Sequence, residues 1–264
     1  MPLTLPKLDY KNVVSEIEDF IRGVLEKSGA EGLVVGLSGG VDSSLTVTLC
    51  VRAVGSSKVL GLIMPSSFTP LQDVMDAEYM AKWLGIHTEK ISITGISDSI
   101  FRELKCNRED PVYRVPMANV RARIRMLILY YYANLKNYLV VGTGDKSERL
   151  IGYFTKYGDG GVDLLPIGHL YKTHVRELSK YLNVPDRIAY KPSSPQLYPG
   201  HKATDEIPLD YDRLDPILYA LFDLGLSVEE TSVKTETPIE IVREVVRRFE
   251  TSKHKRSLPF MIEK

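Results

Sequence analysis

Apolar residues follow two spacings along this chain, one typical of helices and one typical of buried strands. They recur every three or four positions over residues 10–28, which predicts an amphipathic helix. Short continuous apolar runs are typical of parallel strands covered on both faces. The predicted strands are 32–37, 58–64, 87–93 and 138–144, and the further predicted helices are 42–54, 72–84, 96–105, 117–136, 171–182, 213–224 and 238–250. This alternation predicts an α/β fold with a doubly wound parallel sheet of about five strands, flanked by helices.

Ligands of such sheets bind outside the carboxyl ends of the strands, near the point where the strand order reverses. The loops after Leu37, Met64 and Val141 are therefore the candidates for a binding site. Two later stretches, 152–163 and 193–205, are rich in Gly, Pro, Ser and Asp. Their length favours binding loops over plain connections.

Composition narrows the class of protein. The 264 residues suit one large domain, and we expect a single domain over 1–264. The 34 basic residues balance the 34 acidic ones, so no net charge favours nucleic acid or a membrane as partner. Cys50 and Cys106 share no short spacing in the sequence, so they indicate neither a disulfide framework nor a zinc site. Since the chain has no secretory signal and no run of 18 apolar residues, we expect a soluble, cytoplasmic protein.

The stretch VVGLSGGVDSSL, residues 34–45, allows three interpretations. Ser38 fits the letters of G-x-S-x-G, but the strands and oxyanion loop of that hydrolase motif are missing. A plain helix N-cap explains the aspartate and one serine, but not the glycine pair with three serines. A phosphate-binding loop explains all of them, because glycines admit the ligand and helix-start amides face the anion. Asp42 beside phosphate then requires a cation, and Mg²⁺ binds in this way.

The motif SGGVDSS after a first strand resembles the pyrophosphate-binding loop of the N-type ATP pyrophosphatases. Within that group, the residues VVGTGDKSERLIGYFTKYGDGGVDLLPIGHLYK, KPSSPQLYPG and HKRSLP resemble the ammonia-dependent NAD synthetases over nearly the whole chain. The resemblance implies a Rossmann-like fold of the adenine nucleotide alpha-hydrolase type. It also implies ATP-dependent amidation of deamido-NAD to NAD with ammonia, through an acyl-adenylate, with release of AMP and pyrophosphate.

The resemblance also implies site residues. Asp42 and Glu148 would hold Mg²⁺, and they would act in catalysis together with Lys172 and Asp163, the latter as a helper that deprotonates ammonium. The implied ATP-binding residues are Gly36, Leu37, Ser38, Gly39, Gly40, Val41, Asp42, Ser43, Thr143, Lys172 and Ser194. The implied deamido-NAD-binding residues are Arg123, Lys156, Asp163, His254 and Lys255. Around Ser194 the chain departs from the family, with Pro195, Gln196 and Leu197 where relatives often have Ala-Asp-Leu.

Other charged residues have no such match. Arg121 and Arg125 share a helix flank opposite Arg123, and they favour either a solvated face or subunit contacts. An RNA-binding patch would need interleaved aromatic residues, which this stretch lacks. Four histidines without ligand spacing are interpreted as surface or packing residues: His87, His169, His174 and His201.

The implied partners are ATP, deamido-NAD and ammonia, with a separate glutaminase as the alternative source of nitrogen. The family resemblance also implies a homodimer, to which the apolar stretch MLILYYYANL would contribute, although core packing explains that stretch equally well. Two alternatives stay open. One is a related pyrophosphatase that thiolates tRNA or forms GMP, and the other is a non-catalytic adenine-nucleotide sensor.

Overall fold

The computed structural model describes residues 2–191, 207, 209–259 and 261–262. Four strands and eleven α-helices lie within those ranges. The strands are β1 (Gly32–Gly36), β2 (Val59–Ile63), β3 (His87–Lys90) and β4 (Tyr138–Val141). The helices are α1 (Tyr10–Ser28), α2 (Val41–Val54), α3 (Leu71–Leu84), α4 (Thr94–Glu103), α5 (Arg114–Lys136), α6 (Lys146–Leu150), α7 (Lys172–Tyr181), α8 (Asp186–Ala189), α9 (Tyr211–Phe222), α10 (Val228–Lys234) and α11 (Ile239–Thr251).

The strands form one parallel sheet in the order β3-β2-β1-β4. The chain moves outward from β1 to β3 and then returns to place β4 on the other side of β1. The strand order therefore reverses at β1, and the carboxyl ends of β1 and β4 flank the crevice where such sheets bind ligands.

The sheet agrees with the predicted α/β class and is close to the predicted strand number. Four strands are present in the described ranges, and Leu164 adds a single parallel bridge to Val141 beyond β4. The third strand is shorter than the predicted 87–93 and ends at Lys90. It is the edge strand and is largely solvent-accessible, which explains why its apolar signal is weak.

The core has a layer on each face of the sheet. Leu33 and Val35 of β1 pack with α1, α2 and α7, whereas Val34 between them packs with Ile124 and Ile128 of α5. This alternation is the two-residue period of a strand that is buried on both faces. A third apolar cluster joins α9 and α11 near the start of α7.

All eight predicted helices are confirmed, with ends within three residues of those predicted. The stripe over 10–28 forms α1, which begins after the N-cap Asp9 and ends at Gly29 with a positive φ. The short helices α6, α8 and α10 were not predicted, because four to seven residues are too few to show a helical period. Within the described ranges, no helix is both long and apolar enough to cross a membrane.

Candidate active site

The loop between β1 and α2 has the form of an anion-binding site. Gly39 has a φ of +75°, and α2 begins at Val41 without a side-chain cap among the described contacts. The Ser43 hydroxyl accepts from the Ser38 amide at 3.3 Å and lies 3.0 Å from the Ser38 hydroxyl, which holds the loop tightly curved. The first-turn amides of α2 therefore point out of the helix toward the crevice, where they can bind an anion.

Lys172 lies at the centre of a buried ionic cluster beside this loop. Its Nζ is 2.7 Å from Asp42 Oδ2, 2.9 Å from Asp145 Oδ2 and 3.1 Å from Glu148 Oε1. The Lys172 side chain is fully buried at the start of α7. Burial alone lowers the pKa of Lys172, but the attraction of the three carboxylates raises it well above its usual range. The ammonium therefore stays charged at neutral pH.

Three carboxylates share this one ammonium, so the cluster carries excess negative charge. Burial raises the pKa of Glu148, and repulsion from Asp145 and Asp42 adds to that effect against the attraction of Lys172. The Oδ1 atom of Asp42 is buried and accepts no hydrogen bond within the described part of the chain. Excess charge and an unused carboxylate oxygen both favour the arrival of a cation.

The carboxylates of this cluster suit a cation that is also coordinated by a ligand. Among the described residues, no group of three or more His, Cys, Asp or Glu side chains is arranged to enclose a metal ion. Mg²⁺ commonly takes only one or two protein carboxylates and completes its shell with water and phosphate oxygens. Asp42 and Glu148 fit that pattern, since both face the cavity.

A cavity of about 420 Å³ lies at the carboxyl ends of β1, β2 and β4. Thr143 borders it after β4, and most of the predicted ATP-binding residues also line it. Those residues are Gly36, Leu37, Ser38, Gly40, Val41, Asp42 and Ser43. Gly39 and Lys172 lie directly behind this wall, in contact with it. Ser194 and the loop 193–205 fall outside the described residues.

Four of the predicted deamido-NAD-binding residues lie together. Arg123 Nε donates to the Lys156 carbonyl at 3.3 Å, and Lys156 Nζ donates to the His254 carbonyl at 2.7 Å. Lys255 follows His254 and borders the cavity, where its Nζ donates to the carbonyls of Gly152 and Phe154. The tail near 254 is thereby fixed against the loop at 152–163.

Asp163 is placed differently. Its Oδ2 accepts from the Val140 amide at 2.7 Å, and its Oδ1 accepts from the Tyr130 hydroxyl at 3.0 Å. It is not among the described residues that border the cavity. These contacts hold the edge of β4, so the predicted substrate-binding and proton-accepting roles of Asp163 stay predictions.

Arg121 and Arg125 do not form the solvated face that was one of the two alternatives. The Arg121 guanidinium lies over the rings of Phe68 and Phe101, at 4.8 and 4.9 Å from their centroids. Arg125 Nε donates to the Met64 carbonyl at 3.1 Å, and its side chain borders the cavity. Burial lowers the pKa of Arg125 to about 10.

The described histidines agree with their interpretation as surface or packing residues. His87 lies on the exposed edge strand, 3.3 Å from Glu89, and His174 Nε2 lies 3.0 Å from the Pro6 carbonyl. Burial lowers the pKa of His169. His201 falls outside the described ranges.

The family is decided by comparison with known proteins. The family model described as NAD synthase matches residues 13–259, which include the phosphate loop, the Lys172 cluster and the fixed tail. The chain belongs to the NAD synthase family. This membership favours the amidating enzymes over the tRNA-thiolating, GMP-forming and nucleotide-sensing alternatives.

Curated relatives in the NAD synthase family match almost end to end. An NH3-dependent NAD+ synthetase from Hyperthermus butylicus is 55% identical over 253 residues, covering 96% of this chain and 90% of the relative. The enzyme of the same name from Staphylothermus marinus is 47% identical, with coverages of 96% and 91%.

Solved structures of NAD synthase relatives share the fold. An NMN synthetase from Francisella tularensis superposes with a TM-score of 0.84 at 31% identity, covering 98% of this chain and 100% of that one. An NH3-dependent NAD synthetase from Campylobacter jejuni gives 0.81 at 32% identity, with coverages of 97% and 100%.

Sequence reasoning missed Asp145, which is a central member of the Lys172 cluster. Its Oδ1 accepts from the Glu148 amide at 2.8 Å and caps α6, while its Oδ2 faces Lys172. The signal was present, because an Asp three residues before a Glu is typical of a helix start. The same cap fixes the backbone at Glu148, whose side chain accepts from Lys172, so Asp145 helps to build the site.

Proposed function

We propose that the chain catalyses the ATP-dependent amidation of deamido-NAD to NAD with ammonia, through an acyl-adenylate. The observation that carries the proposal is the convergence of Asp42, Glu148 and Lys172 on a phosphate loop at the strand-order reversal. The amides at the start of α2 suit the phosphate groups of a polyphosphate, and the neighbouring carboxylates suit the cation that accompanies it.

The reaction has two substitutions. A carboxylate oxygen of the pyridine ring attacks the α-phosphorus of ATP, and the bond to the bridging oxygen of pyrophosphate breaks. Ammonia then attacks the acyl carbon, AMP leaves with the carboxylate oxygen, and the nitrogen releases a proton. No covalent intermediate with the protein is required, so the chain works by positioning and by charge neutralisation.

The residues divide this work between them. Amides and hydroxyls of the loop 38–43 bind the phosphates that leave, and Lys172 neutralises part of their charge while it orients Asp42 and Glu148. Mg²⁺ would be held by Asp42 and Glu148, and when bound it supplies further neutralisation of the phosphates. The cluster of Arg123, Lys156 and His254 binds deamido-NAD together with Lys255, the member of this set that borders the cavity.

Free ammonia is the proposed nitrogen donor. The chain matches 100% of the Campylobacter jejuni structure but 48% of a glutamine-dependent NAD+ synthetase from Acinetobacter baumannii, at a TM-score of 0.67 and 30% identity. A separate glutaminase is the alternative donor. We also propose a single domain over 1–264, supported by the family match over 13–259, and a cytoplasmic location.

A homodimer belongs to the same proposal. Leu127, Tyr131 and Leu135 stand one helical turn apart on α5 and are each more than 60% exposed, whereas Ile128 of the same stretch is buried. One face of this stretch therefore serves the core, and the other leaves an apolar stripe beside Arg123. A second copy of the chain is the proposed partner of that stripe.

The test is a parallel assay of pyrophosphate, AMP and NAD formation with ATP, MgCl₂ and ammonium chloride. Deamido-NAD, the corresponding mononucleotide, xanthosine monophosphate and tRNA are offered separately, and glutamine replaces ammonium in one further arm. Only deamido-NAD with ammonium is expected to release equal amounts of AMP, pyrophosphate and NAD. Turnover of the mononucleotide instead would assign a different substrate, and no AMP with any substrate would refute the proposal.

A further inference from the structure

Lys191 joins the phosphate loop to the first turns of α3. Its Nζ donates to the Gly39 carbonyl at 3.1 Å, to Asp73 Oδ1 at 2.5 Å and to Asp76 Oδ2 at 2.7 Å. The two aspartate side chains are 5% and 1% exposed. They form with Lys191 a second buried ionic cluster, which contacts the loop at Gly39, whereas the Lys172 cluster contacts it at Asp42.

The second cluster is closely balanced in charge. Asp76 also accepts from Arg187 Nε and from Gln72 Nε2, each at 3.0 Å. Burial by itself raises the pKa of Asp76, but hydrogen bonds from Lys191, Arg187 and Gln72 outweigh burial and lower it. Asp73 and Asp76 thus hold the ammonium of Lys191 in place, and the ammonium can anchor other groups.

The anchored group is the backbone of the phosphate loop. A Cβ built on Gly39 would lie 2.1 Å from the Asp73 carbonyl oxygen, so Gly39 packs directly on the start of α3. In a trans peptide the carbonyl and the following amide point in opposite directions. By holding the Gly39 carbonyl on the α3 side, Lys191 keeps the Gly40 amide turned away from α3, where it donates to the hydroxyl of Ser38, a residue that borders the cavity, at 3.3 Å.

We propose that Lys191 is a positioning residue for the phosphate loop, which keeps the Gly39 carbonyl away from the pyrophosphate site and the Gly40 amide toward it. A carbonyl that turned into the site would present negative charge to the phosphates and remove a donor. The inference rests on the proposed function only in taking pyrophosphate as the ligand of this loop. Since Lys191 also borders the cavity, direct contact with phosphate is the competing explanation.

The experiment is calorimetric titration with inorganic pyrophosphate at fixed MgCl₂. Lys191→Met removes the anchor, and loss of one charged hydrogen bond is expected to weaken binding about 10-fold. Lys191→Arg still donates and should recover part of the loss. Lys90→Met is the matched control, because Lys90 pairs with Glu78 on the surface, and it should bind as the wild type does.

Asp76→Asn separates positioning from direct contact. It leaves the cation of Lys191 in the cavity wall but loosens its anchor, so positioning predicts weaker pyrophosphate binding, whereas direct contact predicts equal or tighter binding. In steady-state turnover, Asp76→Asn should raise the KM for ATP and leave the KM for deamido-NAD constant. General unfolding would not affect the two KM values differently.

Unchanged pyrophosphate affinity in a folded Lys191→Met protein would overturn the inference, as would equal or tighter binding by Asp76→Asn. If Lys191→Met does not fold, Asp76→Asn decides alone. Should the wild type bind pyrophosphate without forming NAD, the proposed function fails while the role of Lys191 is still tested.

Discussion

Asp145 Oδ2 lies 2.9 Å from Lys172 Nζ, and neither side chain is exposed to solvent. Asp145→Asn keeps an oxygen that can cap α6 but removes the charge that orients Lys172. We expect turnover to fall about 10- to 100-fold, because a small displacement of a catalytic group is costly. Asp145→Ala should lose about 1 kcal/mol of stability in addition, since the N-cap is also removed.

Steady-state kinetics and urea denaturation measure these two effects. Asp212→Asn is the control, because Asp212 pairs with Arg176 on the surface and its side chain is 69% exposed. Its stability should change by less than about 1 kcal/mol. Equal turnover of Asp145→Asn and the wild type would contradict the positioning of Lys172 by Asp145.

Removal of the cation should abolish the reaction if Asp42 and Glu148 share Mg²⁺ with the phosphates. Excess EDTA is expected to stop pyrophosphate release, and MgCl₂ should restore it. Asp42→Asn and Glu148→Gln should each need about 10-fold more Mg²⁺ for half-maximal rate, since each weakens one ligand. Glu89→Gln on the exposed edge strand should behave as the wild type. Full activity in EDTA would exclude the metal.

Gly39 and Gly29 offer a matched pair of substitutions. Both have a positive φ, but a Cβ on Gly29 meets nothing within 4 Å, whereas one on Gly39 meets the Asp73 carbonyl at 2.1 Å. Gly29→Ala should cost about 1 kcal/mol of unfolding free energy and leave the KM for ATP unchanged. Gly39→Ala must displace the loop and should weaken ATP binding more than 10-fold. If the two substitutions changed ATP binding equally, the positive φ would be the cause and the contact of Gly39 with Asp73 would not.

The sheet and its principal helices could be predicted because their apolar periods are long and regular. The carboxyl ends of β1 and β4 then located the site, and the motif around Asp42 indicated phosphate chemistry. Glu148 and Lys172 were found only by resemblance, because one Glu or Lys in a helix is usually solvated.

The second ionic cluster could not be predicted from the pattern. Asp73 is the expected acidic residue of the first turn of α3, Asp76 lies in the next turn, and Lys191 follows both by more than one hundred positions. Their meeting depends on how α3 and α8 pack, and side-chain periodicity carries no information about such distant pairs.

The two cysteines should differ in reactivity. Cys50 is fully buried in α2, and burial raises the pKa of its thiol to about 12, so almost no thiolate exists at pH 8. Cys106 is partly exposed. A thiol-reactive reagent should therefore modify only Cys106 in the native protein, and both residues in urea.

Mass spectrometry after proteolysis assigns the modified residue. Because the raised pKa keeps the Cys50 thiol protonated until the pH approaches 12, raising the pH from 7 to 9 should leave Cys50 unmodified in the native protein. Rapid native modification of Cys50 would show that α2 opens locally.

The apolar stripe on α5 should control association. Tyr131→Glu places a charge at a residue that is 62% exposed, so it should leave the monomer stable but prevent dimer formation. Light scattering during gel filtration measures the mass. Val233→Glu is the control, since Val233 is 78% exposed on α10, which packs on α9 and α11, and its assembly should be unchanged. A wild-type monomer at all concentrations would remove the dimer proposal.

The contact between Asp42 and Lys172 joins residues 130 positions apart. During synthesis, the chain completes α6 at Leu150 before Lys172 has been made, so an early chain of that length holds all three carboxylates of the cluster without their counter-ion. A polypeptide stalled at that length would carry the crevice but repel the phosphates of its ligand. Nucleotide binding thus appears only once α7 has docked, which makes it a late marker of folding, both on the ribosome and in refolding from denaturant.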